Sequence, residues 1–261
     1  MDDHALAELG LRLTLDGARA TVTLDRPERR NAQTPLMWNA LTEIGASLPG
    51  DIRVVVLRGE GPSFSSGLDR AMFTPEGLPG VPTFVDIARS SNEDADATIA
   101  SYQAAFSWWR RPDLFSIAAV QGHAVGGGFQ LALACDFRVL ADDAQLAMGE
   151  VPLGIVPDLG GTGLLAELVG YSRALEICVT GRRVSAEEAG RIGLATIVVP
   201  RDQLDAAVDD LAAALLAVPR DAAVETKALL SGARLRSLDE QRAAERQAQL
   251  RRLRDLAGIG E

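Results

Sequence analysis

The run Gln121 to Gln130, QGHAVGGGFQ, constrains this chain more than any other stretch. A short apolar strand, Ile117-Ala118-Ala119-Val120, leads into it, and Phe129, Gln130, Leu131 and Leu133 have the spacing of a buried helix on its far side. Three successive glycines at a strand-to-helix turn leave no side chain between the backbone and whatever approaches it. The unsatisfied N–H groups at a helix start carry about half a positive charge, so an oxyanion placed there is stabilised without a charged side chain. Downstream, EVPLGIVPDLGG places Glu150 and Asp158 on a loop between a strand and the next helix. An anion-holding turn followed by two carboxylates is a set suited to proton transfer.

The flanking sequence predicts an α/β protein. Leu11, Leu13 and Leu15, then Asp16-Gly17, then Ala20, Val22 and Leu24 predict a hairpin. Thr34-Pro35 predicts the cap and first residue of a helix that carries Leu36, Met37, Ala40, Leu41, Ile44 and Leu48. Val54 to Leu57 predicts a strand buried on both faces, followed by the loop GEGPSFSSGLD and a helical turn starting near Leu68. The order of strand, glycine turn and short helix occurs at Val54–Leu68 and again at Ile117–Leu133, which predicts a repeated spiral. Residues 74–94, rich in Pro, Gly, Ser and Asp, read as a long binding loop or lid, and 96–110 as a helix. Further short strands are expected at 137–140, 146–148 and 195–199, with helices at 161–169, 172–179 and 185–191. Beyond Pro200 the pattern turns helical, ending in an arginine-rich helix near 238–257. That change sets a boundary between a core of residues 1–200 and a helical region of residues 201–261.

Charge and composition exclude several function classes. The 26 Lys and Arg stand against 36 Asp and Glu, a formal net charge of −10, which argues against nucleic acid as a partner. No apolar run reaches the roughly 18 residues that cross a bilayer, so no membrane role is expected. The acidic start MDDHALAELG lacks the form of a signal peptide. Cys135 and Cys178 stand in apolar surroundings and read as buried thiols in the reducing cytoplasm. Only His4 and His123 are present, so no metal-ligand cluster is expected, and His123 is assigned no role. Ser65 and Ser66 do not lie in a nucleophile elbow. GHAVGGG does not fit the dinucleotide-binding glycine pattern.

The site candidates each carry a plainer alternative. Gly67 before Leu68 fits an ordinary loop, but paired with the GGG turn it predicts two backbone N–H groups converging on one oxygen. Glu150, among Met148, Val151 and Leu153, fits a buried acid better than a surface one. Asp158 fits either a cap of the following helix or a second carboxylate facing the same cavity.

Taken together, DRPERRNA, VVVLRGEGPSFSSGLD and the run from AAVQGHAVGGGFQ to EVPLGIVPDLGGT resemble the crotonase superfamily, the enoyl-CoA hydratase/isomerase family, over nearly the whole chain. The resemblance implies a crotonase-like spiral of ββα units with a C-terminal helical region that builds a homotrimer or homohexamer. It implies an acyl-CoA thioester as substrate and no cofactor apart from the coenzyme A that the substrate carries. The N–H groups of Leu68 and Gly127 would hold the thioester oxygen. Arg30, Ala32, Ser66, Gly67, Asp69 and Arg70 would line the coenzyme A site. Hydratases of this family hold water between two glutamates. The second matches Glu150, but the first falls on Gln130, which can hydrogen-bond a water and cannot exchange a proton. The Glu150 and Asp158 pair resembles instead the arrangement in dienoyl-CoA isomerases, although that subgroup usually has an aspartate at the Gln130 position. The expected activity is double-bond isomerisation of an enoyl- or dienoyl-CoA through Glu150 and Asp158. The alternatives are hydration through Glu150 with Gln130 holding water, another enolate reaction, or a non-catalytic acyl-CoA-binding protein.

Overall fold

The structure is a computed structural model and describes residues 2–259. A short helix α1 (Asp3–Glu8) precedes the expected hairpin of β1 (Leu11–Asp16) and β2 (Arg19–Leu24), which closes through Gly17 in a left-handed conformation. The Thr34 hydroxyl accepts from Met37 N–H and starts α2 (Pro35–Ser47), with Pro35 in its first turn. Then follow β3 (Val54–Gly59), α3 (Phe84–Arg89) and α4 (Asn92–Ser107). The central unit is β4 (Phe115–Val120), β5 (His123–Val125) and α5 (Gly127–Ala134). After it come β6 (Phe137–Ala141), β7 (Gln145–Ala147), α6 (Gly161–Val169) and α7 (Tyr171–Thr180). The chain ends with β8 (Val184–Ser185), α8 (Ala186–Arg191), β9 (Ile197–Val199), α9 (Leu204–Ala217), α10 (Arg220–Gly232) and α11 (Leu238–Leu256).

Six strands form one sheet in the order β1-β2-β3-β4-β6-β9, parallel except for the hairpin. A smaller sheet of β5-β7-β8 runs beside it, and isolated bridges extend its line through Ser65–Ala124 and Gln33–Leu68. Each turn of the chain therefore adds a strand to the large sheet, a short extended piece to the small one, and in most turns a helix. This is the α/β spiral of ββα units that the sequence predicts. The spiral stacks equivalent loops above one another, which places loop residues from successive turns around one cavity.

Parallel strands covered on both faces explain the all-apolar run Val54 to Leu57. Val55 and Leu57 point into the main core with α2 and α5, where Met37, Leu41, Phe129 and Leu133 pack. Val54 and Val56 point the other way, with Ile117, Ala119 and Val139, against Leu204, Val208 and Ala212 of α9. The boundary expected at residue 200 therefore does not separate two cores, because α9 covers the outer face of the large sheet. α10 and α11 follow α9. α10 is tied to the sheet by the buried Lys227, whose Nζ donates to Leu114 O at 2.6 Å and pairs with Asp136 at 2.7 Å, and the two helices are joined to each other by the Arg251–Glu225 ion pair at 2.6 Å. Leu230, Leu235, Leu238, Leu250, Leu253 and Leu256 on this pair and its connection stay exposed in the single chain.

Two local expectations are corrected. No helix starts at Leu68: that residue bridges to Gln33, and a single 3₁₀ turn follows at Arg70–Phe73. Residues 74–94 are not a plain loop, because Thr83 and Asp86 form a reciprocal cap that starts α3.

Candidate active site

The loops after successive strands surround a cavity of about 800 Å³. Its floor is Gly67-Leu68 from one turn of the spiral and Gly126-Gly127 from the next. Gln33 N–H donates to Gly67 O at 2.7 Å, and Asp69 N–H donates to Gln33 O at 2.8 Å. In a parallel ladder this arrangement turns the N–H of Leu68 to the opposite side, toward the turn at Gly126 and Gly127. Gly67 sits against that turn: a Cβ there would stand 2.4 Å from Val125 O and 3.3 Å from Gly127 N. Its φ of 83° excludes ordinary side chains independently. Neither the Leu68 N–H nor the Gly127 N–H, which opens α5, donates to an acceptor among the described residues. Two free N–H groups on adjacent turns are thus brought to one end of the cavity, one of them at a helix start.

A buried polar network holds this floor. The Ser65 hydroxyl donates to Asn31 O at 2.8 Å and accepts from Gly67 N–H and from Gln33 Nε2, both at 3.1 Å. The Trp38 indole N–H closes the chain onto Gln33 Oε1 at 2.9 Å. Asn31 Nδ2 reaches the carbonyls of Glu60, Ser63 and Phe64. With every polar end satisfied, the network fixes the 65–68 loop. The NAQ triplet carried a signal for it, since three adjacent polar or small residues before a helix are hard to bury without such partners.

Glu150 stands over the glycine turn, with Oε1 3.2 Å from where a Cβ on Gly126 would lie. It is 7% exposed, and its Oε1 accepts from Gln130 Nε2 at 2.7 Å, while Oε2 is buried without a partner. Burial raises its pKa above that of an ordinary glutamate, the Gln130 hydrogen bond opposes this, and the charge of Asp158 adds to the rise. Asp158 lines the same cavity. Its side chain caps nothing: α6 starts at Gly160-Gly161 without a side-chain hydrogen bond. The surrounding walls also raise the Asp158 carboxyl, by desolvation, but the residue is exposed at the rim and solvent moderates the effect.

Of the residues expected at the site, Ser66, Gly67, Leu68, Arg70, Gly127, Glu150 and Asp158 line the cavity. Asp69 does not: it is buried behind the loop, where its carboxylate pairs with Arg26 at 3.2 Å and Arg29 at 3.5 Å and caps the 3₁₀ turn through Ala71 N–H. Arg30 is exposed beside Ser66, whose N–H donates to Arg30 O at 2.8 Å, and Ala32 is buried with its carbonyl held by Arg26. Gln130 is fully buried on α5 behind Glu150 and outside the lining, so its placement as a water holder in the cavity is corrected. Its Oε1 accepts from Leu159 N–H at 3.0 Å and Gly161 N–H at 3.2 Å. Sequence reasoning missed the apolar walls. Trp38 and Tyr102 pack with ring centroids 5.2 Å apart, Phe73 and Phe84 at 4.9 Å, and Leu153 and Val156 complete the mouth. These residues come from five separated segments, and no local pattern links them. The arrangement can bind an apolar group beside a carbonyl whose oxygen meets the two N–H groups, and can move a proton with Glu150 next to it.

Residues 16–254 match the family model described as enoyl-CoA hydratase/isomerase. A protein from Thermobifida fusca YX named as an enoyl-CoA hydratase and solved with CoA has 53% sequence identity and a TM-score of 0.94, covering 99% of this chain and 98% of that one. The same protein solved with acetoacetyl-CoA gives 53% and 0.93 over 97% of this chain and 98% of that one. A Mycobacterium tuberculosis relative named as an enoyl-CoA hydratase is 40% identical over 88% of this chain and 80% of its own length. Another, from Mycobacterium bovis, is 32% identical over 70% of this chain and 66% of its own length.

Proposed function

The chain belongs to the enoyl-CoA hydratase/isomerase family, and from that premise we propose that it isomerises a double bond in an enoyl- or dienoyl-CoA thioester. The Leu68 and Gly127 N–H groups take the thioester oxygen, as the CoA and acetoacetyl-CoA complexes of the Thermobifida relative make reasonable for this cavity. The Glu150 carboxylate removes a proton from the acyl chain. The electron pair moves onto the thioester oxygen, and the resulting enolate is held by the two N–H groups, which interact more strongly with it than with the neutral carbonyl. The proton returns at a different carbon, from Glu150 or from Asp158, so only a hydrogen and a double bond change place.

The observation that carries this reading is the engagement of Gln130. Its oxygen takes two backbone donors and one N–H of its NH₂ serves Glu150, and the amide is buried outside the cavity lining, so it is not placed to hold a water in the cavity. The other carboxylate on the lining is Asp158. A second reading, hydration of an enoyl-CoA by Glu150 alone, is favoured by the relatives that are named as hydratases. The products separate the two. Enoyl-, 3,5-dienoyl- and ring-bearing CoA thioesters are incubated with the protein and analysed by mass spectrometry and ultraviolet absorbance. An absorbance change at constant mass supports isomerisation. The addition of one water supports hydration, and no change with any substrate, together with a raised melting temperature, supports a binding protein.

A further inference from the structure

Gln130 has no spare orientation. Two N–H donors, from Leu159 and Gly161, converge on one of its side-chain atoms at 3.0 and 3.2 Å, which makes that atom the oxygen. The NH₂ must then face Glu150 Oε1, at 2.7 Å. On the other side of the same loop, Gln103 Nε2 of α4 donates to Asp158 O at 2.6 Å. Residues 158–161 are thus held between two helices, and one of the two holding amides also holds Glu150. A Cβ on Gly161 would lie 2.7 Å from Gln130 Cγ, so the loop and the amide are packed as well as bonded.

We infer that Gln130 is a positioning residue: as a neutral donor it keeps the Glu150 carboxylate ionised and oriented, and through its oxygen it fixes the loop that carries Asp158 to the same point. The inference rests on the proposed role of Glu150 in proton transfer. A carboxyl in place of the amide keeps the acceptor for Leu159 and Gly161 but cannot donate while ionised. It instead sets two carboxylates within hydrogen-bond distance, and like charges so close cannot both ionise at ordinary pH. The other titratable groups around Glu150 are Asp158 on the loop before α6 and Cys178 on α7, whose thiol is raised by burial and by the Glu150 charge; Arg70 and Tyr102 lie on the cavity lining.

The test compares the wild type with Gln130→Glu and Gln130→Met. The pH dependence of kcat/KM on the substrate found active is measured, along with binding of CoA itself. For Gln130→Glu the acidic limb moves upward by one pH unit or more, a tenfold or greater loss below the limb, while turnover recovers at higher pH and CoA binding is unchanged. Gln130→Met leaves two buried N–H groups without an acceptor, so it melts lower and loses turnover at every pH. Difference infrared titration of the carboxyl stretch, with Glu150→Gln as the reference, reads the same shift without relying on turnover. A limb and a carboxyl titration that coincide with wild type in a folded Gln130→Glu protein overturn the inference. If instead Glu150→Gln itself retains full turnover, the proton-transfer role falls, and the infrared titration still decides whether Gln130 controls the ionisation of Glu150.

Discussion

Replacing Glu150 by glutamine probes the electrostatics of the cavity and its chemistry in one variant. The carboxyl is 7% exposed, and its Oε2 has no hydrogen-bond partner. Burial holds its pKa above the ordinary value, with the charge of Asp158 acting in the same direction. The folded chain therefore binds this proton more tightly than the unfolded chain. Its contribution is fully present below the unfolded pKa and is lost as pH rises through the folded one. Within that window wild-type stability falls by about 1.4 kcal/mol per pH unit on account of this group. The amide of the variant does not titrate. Its NH₂ takes the place of Oε2 and, without an acceptor, costs about 1–3 kcal/mol at all pH values. The test is therefore the slope with pH, not the sign of the difference at neutral pH. Urea unfolding of both proteins from about pH 4 to 8 should give a wild-type curve that declines relative to the variant as pH rises. Turnover of the variant should fall by about 10² or more. Parallel stability curves would refute the claim that Glu150 is desolvated. Undiminished turnover would remove it from proton transfer.

Three further outcomes are expected. Gly67→Ala places a Cβ 2.4 Å from Val125 O and beside Gly127 N, so it should lose turnover and more stability than Gly17→Ala. Gly17 has a similar positive φ with nothing within 4 Å, and there only the left-handed backbone cost of about 1–2 kcal/mol applies; equal melting curves would refute the close approach. Asp158→Asn removes no side-chain hydrogen bond, so its melting temperature should stay near wild type while isomerisation drops by about 10-fold or more; full activity would end its part in the chemistry. The exposed leucines of α10 and α11 should be covered by other copies of the chain, and light scattering should report a trimer or hexamer; a monomer at micromolar concentration would overturn this.

Much of the fold was legible from short-range pattern. Thr34-Pro35, the Asp16-Gly17 turn and the run Val54 to Leu57 specify their elements through caps, turn geometry and two-sided burial, which are properties of neighbours along the chain. The glycines at 67 and 126–128 and the EVPLGIVPDLGG loop were also visible, because close backbone approach demands glycine wherever it occurs. Errors arose where a residue's environment comes from a distant segment. Leu68 is extended because Gln33 pairs with it, not because of its own neighbours. Asp69 turns away from the cavity because Arg26 and Arg29 lie behind it. Asp158 is either a cap or a free carboxylate on sequence alone, and the start of α6 at Gly160-Gly161 decides the matter. Gln130 offers the sharpest contrast. Its identity could be read from the sequence, but its three hydrogen bonds join residues 20 to 31 positions away. Hydrogen bonds are satisfied by whichever groups packing brings within about 3 Å, and that proximity is set by the stacking of spiral turns, not by order along the chain.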